Sequence, residues 1–258
     1  MNDGGGAFGV IVPARFASTR LPGKPLIDLG GKPMVVRVLE IAARAGAAFS
    51  VVATDDQRIA DAVAAAGGTA MLTSPQHATG TDRLAEVARR MRLDPSLVVV
   101  NLQGDEPALP AALVERVART LQSSPEASLA TLATPLRSRS EVFDPNIVKV
   151  VTDRAGRALY FSRAPIPWQR ADFGIRSSDA ALPAGPYLRH IGLYAYRVST
   201  LLALSGSEPA PLELAESLEQ LRALWLGLTI QVALAESLPS GGVDTPDDAA
   251  RVQKLFEG

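Results

Sequence analysis

Phe8-Gly9-Val10-Ile11-Val12-Pro13 is a short apolar run closed by a proline, and a loop that contains Arg, Pro, Lys and a Gly follows it directly, from Ala14 to Leu26. The run is too short for a helix and reads as a buried strand entering a loop. Beyond the loop the apolar period changes. Met34, Val35, Val38, Ile41, Ala42 and Ala45 fall on one helical stripe, and Gly46 offers a stop. Phe49 to Thr54 is the next strand, and Asp55-Asp56 can cap a helix that runs to Ala66 and ends at Gly67-Gly68. Ala70 to Leu72 reads as a strand, Asp82 to Met91 as a helix, Leu97 to Leu102 as an apolar central strand and Pro110 to Leu121 as a helix. This alternation specifies an α/β fold, a mostly parallel sheet with helices on both faces.

From about Ala127 the character shifts. Strand-like pieces follow one another at Ser128–Ala133, Ile147–Val151, Ala158–Phe161 and Ile191–Tyr196, with a long irregular stretch from Pro165 to Pro186. A helix is expected from Leu212 to Leu226, with Leu214, Leu218, Leu221 and Trp225 as its core stripe. A strand from Thr229 to Ala235 and a helix from Pro246 to Phe256 complete the pattern. The expectation is one α/β domain over 1–258, with an inserted, more antiparallel lobe at roughly 127–200.

The 258 residues are 47% hydrophobic and 21% charged, with a formal net charge of −1, so nothing points to a nucleic-acid or anionic-membrane surface. The absence of cysteine excludes disulfides, zinc–thiolate sites and a cysteine nucleophile, and two histidines, His77 and His190, exclude a histidine-rich metal site. No apolar run reaches the ~18 residues of a membrane span. Met1-Asn2-Asp3-Gly4-Gly5-Gly6 has neither a basic region nor an apolar signal core, so a cytoplasmic protein is expected.

The loop after the first strand lies where open α/β sheets bind ligands. Arg15, Arg20 and Lys24 sit in it without an acid among them, and Ser18, Thr19 and Gly23 lie between. Guanidinium forks, an ammonium and backbone N–H groups can together meet the charge of a nucleoside triphosphate. The loop is neither G-x-x-x-x-G-K-[ST] nor G-x-G-x-x-G, which argues against an ordinary NTPase and a nicotinamide dehydrogenase. Gln103-Gly104-Asp105-Glu106-Pro107 ends the most apolar strand, and Asp105 is placed to project toward the basic loop. Magnesium takes hard oxygen ligands, and Asp244 is the obvious second carboxylate, although it also suits the N-cap of the helix at Pro246. Arg83 and Glu86, three apart on a helix, suit an ordinary ion pair. His190 and Tyr194 suit strand positions in a core.

The loop resembles the I-P-A-R-x-x-S-x-R-L-P-x-K-x-L signature of the sugar-acid cytidylyltransferases, specifically the CMP-Kdo synthetase family (Kdo, 3-deoxy-manno-octulosonate), with Val12 in place of isoleucine. Further matches follow in family order: Val52–Asp55, Gly80–Glu86, Val100–Pro107, Ala158–Pro167, Arg189–Tyr194, Leu218–Arg222 and Gly242–Pro246. The family more commonly has glutamate where this chain has Asp82. The resemblance implies a Rossmann-like sheet of the nucleotide-diphospho-sugar transferase type. It implies nucleotide binding by Ala14, Arg15, Ser18, Arg20, Lys24, Ala53, Thr54, Asp55, Thr79, Gly80, Arg83 and Gln103. It implies sugar binding by Gln103, Arg163, His190, Tyr194, Glu219 and Gln220, and Mg2+ on Asp105 and Asp244, with Lys24, Arg15, Asp105 and Asp244 as the catalytic set.

What this resemblance implies is transfer of CMP from CTP to Kdo with release of pyrophosphate, for lipopolysaccharide inner-core synthesis, by a homodimer. The sugar hydroxyl would attack the α-phosphorus in line, and catalysis would come from positioning and charge neutralisation. A related sugar acid, 8-amino-Kdo or a neuraminate, is the near alternative. Gly23-Lys24-Pro25-Leu26 departs from the lysine and asparagine that sialic-acid enzymes usually carry there, which favours Kdo. A non-catalytic nucleotide-binding protein on the same fold is the alternative from another class.

Overall fold

Val10 and Val12 face one apolar core and Ile11 faces another, and this alternation along a single strand sets the layers of the molecule. The computed structural model describes residues 6–17, 21–173, 182, 185–236 and 242–256. In chain order the elements are β1 (Phe8–Ala14), α1 (Met34–Arg44), β2 (Phe49–Thr54), α2 (Gln57–Ala65), β3 (Ala70–Leu72), α3 (Gly80–Arg90), β4 (Val98–Asn101) and α4 (Ala111–Gln122). Then come β5 (Leu129–Pro135), α5 (Arg139–Phe143), β6 (Lys149–Thr152), β7 (Ala158–Ser162), β8 (Leu188–Arg197) and α6 (Val198–Ser205). The last are α7 (Pro211–Glu216), α8 (Gln220–Trp225), β9 (Ile230–Leu234) and α9 (Pro246–Gln253).

The strands form one sheet in the order β3-β2-β1-β4-β8-β5-β9, with β6 joined to β8 and β7 to β6. β3, β2, β1 and β4 run parallel, β8 is antiparallel to both β4 and β5, and β9 is parallel to β5. Residues 127–200 therefore supply antiparallel pairings that continue the same sheet. One core packs α1, α2 and α4 against it and the other packs α3 and α6, so each buried Val, Ile or Leu contributes about 1.5–3 kcal/mol from both sides. Among the described residues no helix is long and apolar enough to cross a membrane.

The order matters for function. From β1 the chain steps to β2 on one side, whereas β4 joins β1 on the other. A crevice opens at such a switch point, outside the carboxyl ends of the strands.

The helix expected from Leu212 to Leu226 is two helices. Ser217 breaks it in the left-handed region, with φ 53° and ψ 50°. A buried ion pair accounts for the turn: Arg222 donates to Glu213 Oε1 at 2.5 Å and to Oε2 at 2.7 Å, which folds α8 back across α7. Leu218 and Leu221 are buried as expected, but Leu214 and Trp225 are 67% and 58% exposed. The short helices α5 and α6 follow no helical period in the sequence. Much of the Pro165–Pro186 stretch, 174–181 and 183–184, lies outside the described residues.

Candidate active site

The basic loop is anchored at Phe16. Its N–H donates to Asp55 Oδ1 at 3.3 Å, its carbonyl accepts from Gly23 N at 3.2 Å, and the Arg58 guanidinium lies 3.5 Å above its ring. Gly23 has φ 69°, which favours glycine and lets the chain turn back into the short helical turn Lys24–Leu26. Ser18 and Arg20 lie outside the described residues. The loop delivers Lys24, 9% exposed, whose Nζ donates to Asp105 Oδ2 at 2.8 Å and to Asp244 Oδ1 at 2.9 Å.

Two local features bring those carboxylates together. A Cβ at Gly104 would stand 2.7 Å from the Pro13 carbonyl, so only glycine lets the exit of β4 pass the exit of β1 and present Asp105. Val243 N donates to the Asp105 carbonyl at 2.8 Å, which ties the segment before α9 to the same edge. The N-cap of α9 is Thr245, in a reciprocal box with Asp248, so Asp244 is not the cap and turns its carboxylate to Lys24. Burial alone would lower the Lys24 pKa, but the hydrogen bonds and charges of Asp105 and Asp244 raise it above the ordinary value. Glu106, beside them, is pushed up to about 7, first by burial and then by those same two charges.

The two aspartates converge on one cation position, held here by the ammonium. Hard carboxylate oxygens so arranged fit Mg2+, which takes one or two carboxylates and completes its shell with phosphate and water. Among the described residues no group of three or more His, Asp or Glu forms a cation cage, so substrate oxygens would have to supply the remainder.

A cavity of about 450 Å³ opens over this edge, lined by Ala14, Arg15, Lys24, Thr79, Gly80, Gln103 and Asp105 among others. Of the residues expected to bind nucleotide, Thr79 and Gly80 face it, whereas Ala53, Thr54 and Asp55 are not among its lining. Ala53 is buried in the core, and the Thr54 carbonyl is taken by Thr73 N at 2.8 Å and Thr73 Oγ1 at 3.0 Å. Asp55 is a tether. It holds the Phe16 amide and also accepts from the fully buried Arg83 at 2.9 Å. Arg83 also donates to Thr73, and does not pair with Glu86. Glu86 instead accepts from Ser74 N at 2.9 Å and Arg90 at 3.1 Å and meets His77 at 2.6 Å, fastening the loop before α3. Thr79 caps α3 reciprocally with Asp82, a role the shorter carboxylate fills.

A second cavity, about 320 Å³, adjoins the first, and Gly80, Gln103 and Glu219 line both. His190, Tyr194 and Gln220 also line it, so five of the six residues expected to bind sugar meet here. The sixth, Arg163, does not. Its guanidinium donates to the Glu216 carbonyl at 2.8 Å and the Pro145 carbonyl at 3.0 Å, bracing the chain after β7 away from the cavity lining. His190 Nε2 meets Thr131 Oγ1 at 3.0 Å, and the ring packs edge-on to Phe161. Burial pushes its pKa down to about 3, so it is neutral and offers hydrogen bonds, not charge. Glu219 accepts from Thr81 Oγ1 at 3.1 Å, and burial raises its pKa.

The register of β5 against β8 shifts from Thr131–Tyr194 to Leu132–Ile191, so Gly192 and Leu193 bulge where Gly192 lines the cavity. Asn101, Tyr196 and Ser217 line it too and are not expected from the sequence. For Asn101 a signal existed: it is the polar residue of an otherwise valine strand, two before Gln103 and therefore on the same face.

A doubly covered sheet with a cationic loop and a carboxylate pair at its switch point, next to a polar second cavity, defines a nucleotidyltransferase of the α/β class. The cytidylyltransferase family model matches residues 9–230. The chain is 54% identical to the 3-deoxy-manno-octulosonate cytidylyltransferase of Halorhodospira halophila and 53% identical to that of Methylococcus capsulatus, in each case over 97% of both chains. A solved structure of CMP:2-keto-3-deoxy-manno-octonic acid synthetase complexed with CTP superposes with a TM-score of 0.86 at 41% identity, covering 97% of this chain and 98% of that one. The chain belongs to the 3-deoxy-manno-octulosonate cytidylyltransferase family.

Proposed function

We propose that this enzyme joins CMP from CTP to Kdo and releases pyrophosphate. The observation that carries this reading is the shared wall: Gly80, Gln103 and Glu219 face both the cationic cavity and the polar one, so two substrates can meet there. The anomeric hydroxyl of the sugar attacks the α-phosphorus of CTP and loses its proton to water; a new P–O bond forms, and the bond from the α-phosphorus to the bridging oxygen breaks, its electron pair leaving on pyrophosphate. Arg15 and Lys24 face the phosphates and offset charge on the departing pyrophosphate, with Ser18 and Arg20 of the same loop assigned the same task. Gln103 sits at the junction and orients the reacting groups. Neutral His190, with Tyr194, Glu219 and Gln220, positions the sugar by hydrogen bonds. Mg2+ held by Asp105 and Asp244 would supply Lewis-acid polarisation of the α-phosphate.

The reading extends to a cytoplasmic homodimer whose product feeds lipopolysaccharide inner-core synthesis. It is supported by substrates that are small, soluble anions and by exposed Leu159 and Trp168 on the β7 side, 61% and 57% accessible, a surface suited to a second copy. The test is pyrophosphate release from CTP and Kdo with Mg2+, comparing wild type with Asp105→Ala. Turnover should fall at least about a hundredfold while circular dichroism is unchanged, and chelation of the metal should do the same to the wild type. Near-normal turnover in Asp105→Ala overturns the assignment.

A further inference from the structure

Asn101 closes β4 with its side chain 4% exposed, and its Oδ1 has no hydrogen-bond partner. Asparagine at the end of a valine strand gains nothing from burial, and a desolvated acceptor left unpaired carries its full penalty. Among the described residues four buried side-chain atoms are in this condition: Arg83 Nε, Asn101 Oδ1, Tyr194 Oη and Gln220 Nε2. Three of the four belong to residues that line the His190–Glu219 cavity. Tyr194 faces Thr131, whose hydroxyl is already shared among His190 and the carbonyls of Ile191 and Leu193, so its own hydroxyl lacks a hydrogen bond of ordinary geometry.

The register explains the clustering. Asn101 stands directly opposite Tyr194 across β4 and β8, so both side chains rise on one face. Gly192, two residues back along β8, adds no side chain, and a Cβ there would meet nothing within 4 Å. The cavity is therefore open over Gly192, beside Tyr194.

We propose that Asn101 is a substrate-contacting, specificity-determining residue whose Oδ1 accepts a hydrogen bond from a hydroxyl of the sugar acid. This rests on the sugar-acid reading above and adds to it a residue outside the expected sugar-binding set. An acceptor beside a phenol and an amide donor fits a polyol, which both donates and accepts. The same acceptor repels an oxyanion, so Asn101 marks the hydroxyl side of the sugar and not its carboxylate.

The test is steady-state kinetics of Asn101→Leu with CTP and Kdo, together with thermal shifts on adding each substrate alone. Leucine keeps the branched shape, is somewhat larger, and removes the amide. KM for Kdo should rise about tenfold and the Kdo-induced thermal shift should vanish. KM for CTP and the CTP-induced shift should stay within twofold, and the unliganded protein should melt no lower than wild type. A KM for Kdo within twofold of wild type, or equal losses toward both substrates, overturns the proposal. Asn101→Ala, which cannot obstruct the sugar, should show the same split, and its kinetics decide if the leucine variant does not fold. Wild-type turnover with Kdo, run in parallel, tests the underlying reading separately, and its absence overturns both.

Discussion

Two residues of the site are electrically opposite in how the fold treats them. Lys24 is nearly buried yet fully charged, because Asp105 and Asp244 repay its lost hydration. His190 is buried with no carboxylate beside it, and its pKa falls to about 3. The unfolded chain takes up a proton at this position near pH 6.5, whereas the fold resists it until about 3. The stability that His190 contributes is therefore complete above pH 6.5 and is lost as pH falls through the window below it, by at most about 1.4 kcal/mol per pH unit. Urea unfolding at pH 7 and pH 5 should show the wild type losing more stability than His190→Asn. Equal losses would mean that the ring is protonated in the fold. At this scale the sequence was informative where chemistry and backbone coincide. Asp105 could be read because an apolar strand ends in Gln-Gly-Asp. Arg163 could not, because nothing in its motif says that Pro145 and Glu216 will supply carbonyls to its guanidinium.

At the scale of elements, the exits of β1 and β4 decide the geometry of the reacting edge. Gly104 passes the Pro13 carbonyl so closely that a methyl group needs one strand to move. Gly104→Ala should lower stability by about 1–3 kcal/mol and turnover by at least about tenfold, since Asp105 rides on the displaced backbone. Denaturant titration and pyrophosphate release would check both, and unchanged values would show that the edge is looser than described. Strands and helices on the parallel side were legible because propensity, period and turn residues agreed there. The α7–α8 break was not. Every local signal in Leu212–Leu226 favours a helix, and the Glu213–Arg222 pair that folds it is tertiary. That break places Ser217, Glu219 and Gln220 along one cavity wall, so the misread element is the one that shapes the site.

Across the whole molecule, function follows from one sheet feeding two adjoining cavities. The parallel half carries the cationic loop and the carboxylate pair, and β8, antiparallel beside β4, carries His190 and Tyr194. His190 and Tyr194 come beside the strand whose exit carries Asp105 only because β8 inserts between β4 and β5. That insertion has no local signature, which is why the grouping came from the resemblance and not from patterning. Under the proposed function the two cavities bind CTP and a Kdo-type sugar acid and couple them. The most direct measurement is pyrophosphate release from CTP with Mg2+, supplied in parallel with Kdo, 8-amino-Kdo, N-acetylneuraminate or no sugar. Release should depend on sugar and be fastest with Kdo, and no release with any sugar would rule out this coupling.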